Sequence, residues 1–179
     1  MPKTQIDLCE TIPRDAVVTA SDYHDGLHFA RHSHQRGQFA YAACGVITVF
    51  SDHGDWVVPP QRAIWVPAGV PHAMSMNGPV TMLNTYIRPL AATRLGLPAH
   101  CQVFGVSPLL QQLLMGAIDV APLYAEDQRE GHLMNLLLHE IAAMPPLSLN
   151  APLPREPRLA LACRKLLEQP SLEVGIDAM

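Results

Sequence analysis

The sequence lacks long hydrophobic runs. No stretch of its 179 residues approaches the length that a membrane-spanning helix needs, and the N-terminus has no apolar core of the kind found in signal peptides. These absences argue against membrane partners and against secretion. We therefore expect a cytoplasmic protein.

Paired cysteines and clustered basic residues are also missing. The four cysteines form no C-x-x-C pair and follow no framework spacing, which is typical of reduced thiols. The net charge is -4, and the lysines and arginines are scattered, so no basic patch neutralises a run of phosphates. The chain as it stands is predicted to bind nucleic acid poorly.

Short β-like runs fill the first 106 residues. A hydrophobic content of 49% is enough for a buried core. The predicted strands lie at 17–19, 27–34, 39–43, 46–50, 56–58, 63–66, 72–76, 80–87 and 101–106. Their spacing between turn residues is typical of an all-β barrel or sandwich, so residues 1–106 are predicted to form one β domain.

After residue 106 the hydrophobic period changes from two to three or four. Ser107 followed by Pro108 is typical of a helix start, and a second helix is expected from about Glu126 to Ala143. Residues 107–143 are therefore predicted to form a helical pair. The apolar residues of the second helix cover more than one narrow stripe. That surface either pairs two subunits in a homodimer or wedges between the first helix and the barrel.

Prolines mark the next boundary. Five of them occur between Met144 and Pro157, which predicts a semi-rigid, extended linker over 144–156. Residues 157–169 are an amphipathic segment that Pro170 ends. One such helix must cover its apolar face, so it either docks on the barrel or begins, at 157–179, a domain that the chain does not complete.

A candidate metal site lies within the β region. His32 and His34 alternate on a predicted strand, so both side chains point to one face and can hold one ion. Gln38 and His72 are candidates for the third and fourth ligands. This imidazole-rich set suits zinc or nickel, with iron and copper as alternatives, and does not suit magnesium or calcium. The alternative is that the histidines line a polar pocket without a metal.

Small side chains predict space for a ligand beside this site. If the strand through Gln38 continues, Ala40, Ala42 and Cys44 share its inward face, while Phe39 and Tyr41 point outward. Bulky residues from facing strands are the alternative occupants of that space. His28 shares strand parity with His32 and is a further candidate for the pocket. Two arginines, Arg31 and Arg36, flank the histidines and are candidates to meet an anionic ligand.

The spacing of these residues resembles the two cupin motifs. Gly26, His32, His34, Gln38 and Gly45 match the first motif, in which glutamate usually stands at the position of Gln38. The segment Pro67-x-Gly69-x-x-His72 matches the second, although Gln61 and Met76 replace its leading glycine and closing asparagine. The resemblance implies a double-stranded β-helix, or jelly roll, with a metal held inside the barrel by His32, His34, Gln38 and His72.

The whole arrangement resembles AraC-type bacterial transcription regulators. The residues that carry this resemblance are HSHQRGQ from His32 and VPPQRAIWVPAGVPH from Val58 to His72. The resemblance implies a cupin sensor for a small-molecule effector, followed by a helix-turn-helix domain whose first helix corresponds to 157–169. DNA contact is then expected only through a C-terminal part that lies beyond this chain.

A metal-dependent cupin enzyme is the competing hypothesis. Three histidines with open positions on the ion suit a dioxygenase or an isomerase. The start of a DNA-binding domain and the lack of an evident general acid or base favour the regulator. We therefore predict a mainly β protein with C-terminal helices that senses an effector, dimerises and is not catalytic.

Overall fold

The structure is a computed structural model that describes residues 9–52, 54–148, 150–151 and 158–159. Its nine strands are β1 Ala16–Tyr23, β2 His28–His32, β3 Gly37–Ser51, β4 Gly54–Val58, β5 Arg62–Val66, β6 His72–Ile87, β7 Gln102–Gly105, β8 Pro146–Leu147 and β9 Asn150–Ala151. The helices with described bounds are α1 Pro89–Arg94, α2 Pro108–Ala117 and α3 Arg129–Ala143. No helix among the described residues is long and apolar enough to cross a membrane.

Two long strands, β3 and β6, build the barrel. They pair antiparallel from Gly37 opposite Ile87 to Ser51 opposite His72. In one half of this ladder, β1 pairs with β6 and β5 pairs with β3, and the sheet continues from β5 to β7 and β8. In the other half, β2 pairs with β6 and β4 pairs with β3, and β9 pairs with the free edge of β4. The two strands therefore belong to both faces of the barrel, as in a jelly roll.

The bend between the faces lies at Gly45. The β3–β6 register shifts on both sides of Cys44, and Gly45 has a φ of 72°, which favours glycine. A Cβ at Gly45 would lie 2.3 Å from the Pro79 carbonyl oxygen. The sequence predicted separate strands at 39–43 and 46–50, and at 72–76 and 80–87. Each pair is one continuous strand, because a bulge bends the ladder without interrupting it.

Two apolar layers separate the inside of the barrel from its helical cover. Ala40 and Ala42 belong to the inner cluster, whereas Phe39 and Tyr41 belong to a cluster that joins the outer face of the sheet to the helices. The alternation predicted for β3 therefore directs small side chains inward and aromatic ones toward α2 and α3.

The helical pair begins largely where its signals predict. The Ser107 hydroxyl accepts a hydrogen bond from the Leu110 backbone N–H at 3.0 Å, and α3 begins at Arg129, slightly later than expected. Most of the wide apolar stripe of α3 is buried within the chain, which supports the wedge interpretation for Met134, Leu137, Leu138 and Ile141. Leu136 is exposed and is not explained by that packing.

The segment expected to be a linker begins as edge strands of the barrel. β8 pairs with β7, and β9 pairs with β4, so this part of 144–156 spans both faces of the barrel. Edge strands tolerate proline because one side of the strand needs no N–H donor. Residues 152–157 and the predicted domain start at 157–179 lie outside the described residues, apart from 158–159. The domain division itself stays a prediction.

Candidate metal centre

Three histidines meet at one end of the barrel. His32 ends β2 and pairs directly with His72, which begins β6, while His34 follows in the turn toward β3. The ring centroids are 4.4 Å apart for His32 and His72, 4.8 Å for His32 and His34, and 5.3 Å for His34 and His72. One ring nitrogen from each histidine lies within 4.8 Å of the others, which is close enough for one metal ion. We call this group the histidine triad.

Backbone hydrogen bonds orient two of the rings. His32 Nδ1 is 2.7 Å from the Ala30 carbonyl oxygen, and His72 Nδ1 is 2.9 Å from the Val70 carbonyl oxygen. A neutral imidazole that donates from Nδ1 keeps its Nε2 lone pair for another partner. His72 Nε2 is buried and has no hydrogen-bond partner among the described residues. Metal-bound histidines are commonly oriented in this way.

Burial keeps His72 neutral. Its side chain is 1% exposed, and burial lowers the pKa of His72 from its ordinary 6.5 to about 4. The Val70 carbonyl opposes this shift, and the nearby His32 and Arg31 add to it. At neutral pH the imidazole therefore carries a free lone pair, which is the form that binds a metal.

Gln38 presents an amide oxygen beside this end of the barrel. Its side chain is buried at the start of β3, and its Nε2 donates to Asn84 Oδ1 at 2.8 Å. That bond fixes the orientation of the amide. Gln38 Oε1 is buried and has no hydrogen-bond partner in the part of the chain that the structure describes. An orphaned oxygen of this kind fits the fourth position of a metal site.

His28 does not join the triad. A bulge shifts the β2–β6 register between Phe29 and His32, so the alternation assumed from His28 to His32 is interrupted. Phe29 lies on the inner side, with its ring centroid 6.4 Å from that of His32, and His28 is exposed. Bulges depend on the partner strand, so the sequence of β2 alone does not reveal this one.

Cys44 also leaves the inner face. The register shifts that flank it turn its thiol outward, where Sγ is 3.8 Å from the Pro79 carbonyl oxygen and the residue is exposed. Ala40 and Ala42 remain inside and are fully buried. The same inner cluster contains large side chains from β6, namely Met74, Met76 and Met82. Large side chains therefore pack in the same cluster as the two alanines, and the ligand space beside them stays a prediction.

An open depression of about 660 Å³ adjoins the triad. Its lining residues are Glu10, Ser33, His34, Gln35, Ala68, Gly69 and Pro89. It is formed by the turn that carries His34 and by the loop before β6. The Gly69 backbone N–H donates to the His34 carbonyl oxygen at 2.8 Å and holds the two loops together. His34 is the triad residue that borders this depression.

The two flanking arginines differ from each other. Arg31 is exposed and pairs with Asp52 at 2.5 Å. Arg36 is 3% exposed and donates to three backbone carbonyls, so it does not face a ligand. Sequence reasoning missed this role of Arg36 and the contact of Asn84 with Gln38. Alternation along β6 puts Asn84 on the same face as Met82, which is a signal for an inward side chain, but nothing in the sequence indicates its contact with Gln38.

Comparisons with known proteins agree with this architecture. The profile of the AraC-like ligand binding domain matches residues 16–143. HTH-type transcriptional regulator NimR of Escherichia coli is 27% identical over 146 residues, which are 82% of this chain and 52% of NimR. The chain thus spans about half the length of this curated relative.

Solved structures include one with a similar fold over most of this chain. An apo variant of ToxT from Vibrio cholerae superposes with a TM-score of 0.54 at 6% identity, over 72% of this chain and 54% of that one. A cupin superfamily protein from Desulfitobacterium hafniense has a TM-score of 0.39 at 18% identity, over 41% of this chain and 68% of that chain. The predicted fold class, a mainly β cupin barrel followed by helices, is confirmed.

Proposed function

Because the chain belongs to the family of AraC-like ligand-binding domains, we propose that it is the effector-sensing and dimerising part of a transcription regulator. The observation that carries the proposal is the family match over residues 16–143, supported by the relationship to NimR. On this proposal, DNA contact belongs to a helix-turn-helix domain that begins within 157–179. A cytoplasmic location follows from that role.

The sensor site is proposed to hold a divalent transition metal. His32, His34 and His72 would bind it, and Gln38 Oε1 would be the fourth ligand. Three observations support this site. One ring nitrogen of each histidine lies within 4.8 Å of the others, and hydrogen bonds at Nδ1 leave Nε2 of His32 and His72 available. Gln38 Oε1 is buried and has no hydrogen-bond partner among the described residues. Three imidazoles and one oxygen favour zinc or nickel.

The donor set also indicates the charge of the effector. When bound, the ion would supply a positive centre at the end of the barrel. Three neutral imidazoles and a neutral amide leave its double charge uncompensated by the protein, so an anionic oxygen of the effector is favoured as a further ligand. Such a group is proposed to approach from the depression that His34 borders.

A regulatory role is preferred over catalysis. The AraC-type family match and the NimR relationship support it, and the metal-ligating group among the described residues consists of histidines without a carboxylate. We propose instead that the site binds an effector and signals that it is bound.

Dimerisation is proposed to involve the helical pair. Leu109 on α2 is 50% exposed, Met115 on α2 is 48% exposed, and Leu136 on α3 is 46% exposed. Large apolar side chains exposed on packed helices favour contact with a second copy. Sedimentation of the chain should show a dimer that Leu136→Lys weakens. Leu90→Lys, which changes an even more exposed leucine on α1, is the matched control and should leave the dimer intact.

A fusion experiment tests the functional assignment. The chain is placed before a DNA-binding domain that occupies its operator only as a dimer, and repression of a reporter is measured in cells. Repression should exceed that of the DNA-binding domain alone. Zinc depletion should change repression by the fusion but not by its His72→Ala form. A fusion as inactive as the unfused domain would contradict the dimerising role, and equal responses of both fusions to depletion would contradict metal sensing.

A further inference from the structure

Arg36 holds residues 10–16, which we call the N-terminal segment, next to the turn before β3. Its Nη1 donates to the Arg14 carbonyl oxygen at 2.9 Å, and its Nη2 donates to the Ile12 carbonyl oxygen. A longer contact of 3.5 Å joins Nη1 to the Tyr86 carbonyl oxygen. The guanidinium presents several donors in a rigid fork, so it can hold carbonyls of two chain segments at once. A lysine offers only a single nitrogen for the same carbonyls.

The histidine triad is also connected to the turn that carries Arg36 and to β6. His34 is two residues from Arg36, and its ring centroid is 5.6 Å from that of Tyr86. The turn between them is also tied to the N-terminal segment, because the Gln35 backbone N–H donates to Glu10 Oε1 at 2.8 Å. A change in the position of His34 therefore acts on the chain that carries Arg36 and on the strand that Arg36 touches.

The N-terminal segment continues the path to the helical pair. Arg14 Nε donates to the Tyr124 carbonyl oxygen at 2.6 Å, and the Arg14 guanidinium lies 5.4 Å from the centroid of the Tyr124 ring. Tyr124 is 7% exposed and lies in the loop before α3, and its hydroxyl donates to the Ala16 carbonyl oxygen at 3.4 Å. These contacts connect the triad turn to the loop that positions α3.

We propose that Arg36 is a positioning residue that couples the histidine triad to the loop before α3, through residues 12–14 and the Arg14 side chain. This inference rests on the proposed metal site. Binding of a cation draws the imidazoles together and fixes the His34 turn, which holds the Arg36 guanidinium and the carbonyls it binds in one arrangement. The loop before α3 is then held more firmly, although it does not touch the ion.

Hydrogen exchange of the whole chain with and without zinc alone tests the coupling. Zinc binding is measured in parallel by titration with a chromophoric chelator. In the unmodified chain, zinc should slow amide exchange by about threefold or more in residues 10–16 and in residues 119–128. In Arg14→Met, zinc should still bind and protect residues 10–16, while protection of 119–128 is lost.

Three further variants complete the test. Arg36→Met should bind zinc but lose protection of both segments, and Arg36→Lys should recover part of it. Arg31→Met removes an exposed arginine beside the triad and should keep the full response. Bound zinc without protection of 119–128 in the unmodified chain overturns the coupling alone, and so does protection of 119–128 in Arg14→Met or Arg36→Met equal to that in the unmodified chain. Absence of zinc binding in the titration overturns the metal site and the coupling together.

Discussion

His32 and His72 face each other across the β2–β6 ladder, as direct partners in register with ring centroids 4.4 Å apart. A bulge between Phe29 and His32 makes this pairing possible. It brings these two residues, which are three positions apart, to the same face of β2. The nearest pair of the triad is thus fixed by hydrogen bonding between strands that lie far apart in the sequence. Ligands carried by paired strands are held rigidly, which is what a preformed ligand site requires.

Replacing Gln38 with glutamate should change the protein in opposite directions with and without metal. A carboxylate at this position meets Asn84 Oδ1, which now accepts from the Gln38 amide at 2.8 Å. In chelator, Gln38→Glu should therefore lower the melting temperature, because a buried charge lacks a donor. With zinc, the added charge should tighten binding by about tenfold or more. Calorimetric titration and thermal unfolding measure the two effects.

Gln38→Met is the control for the amide oxygen. It keeps a side chain of similar size and removes both the oxygen and the capacity for charge. Zinc should bind this variant more weakly than the unmodified chain. Equal affinity for Gln38→Glu, Gln38→Met and the unmodified chain would exclude Gln38 as a ligand.

Acid should destabilise the metal-free protein through His72. Above pH 6.5 this histidine is neutral in both the folded and the unfolded chain and adds no pH dependence. Between pH 6.5 and about 4, the unfolded chain binds a proton that buried His72 does not, so the free energy of unfolding falls as the pH falls. Urea unfolding in chelator should show a flatter pH dependence for His72→Gln. The exposed His28→Gln should keep the original slope, and identical slopes in all three proteins would contradict the assignment.

Gly37 should not tolerate a methyl group. A Cβ at this position would lie 2.0 Å from Trp65 Cη2, because the tip of the indole ring packs against the backbone just before Gln38. Gly37→Ala should lower the free energy of unfolding by about 1–3 kcal/mol, as overpacking displaces the ring. Gly116→Ala is the matched control, since its Cβ meets Leu133 Cδ1 at an ordinary 3.5 Å. It should raise stability by about 0.5–1 kcal/mol. Chemical unfolding measures the stability of both variants. An unchanged free energy of unfolding for Gly37→Ala would count against the contact with Trp65.

Cys44 should react while Cys101 is protected. Cys44 is exposed, whereas Cys101 is 5% exposed and burial raises its pKa to about 11. A maleimide at neutral pH should label Cys44 in the native chain and reach Cys101 only after urea is added. Peptide mass spectrometry distinguishes the sites. Equal protection of the two thiols would indicate that Cys44 faces the interior after all.

The sequence allowed the barrel, the helical pair and the three histidines to be predicted, because each leaves a local pattern. Alternation located Ala40 and Ala42 inside, and capping at Ser107 located α2. The misplaced residues depend on partners distant in the chain. The bulge in β2 turns His28 out, the bend at Gly45 turns Cys44 out, and α1 is too short to produce a periodic signal. Arg36 shows the same limit, since the carbonyls it binds are 22 and more residues away.

Metal content is the most direct test of the central claim, which is that the histidine triad binds a transition metal. The chain is purified without a histidine tag, stripped with chelator, reloaded with zinc, desalted and measured by elemental mass spectrometry. We expect about one zinc per chain, retained by His28→Ala and lost by His72→Ala. The histidine triad is not a metal site if the unmodified chain retains no zinc, or if His72→Ala retains as much as His28→Ala.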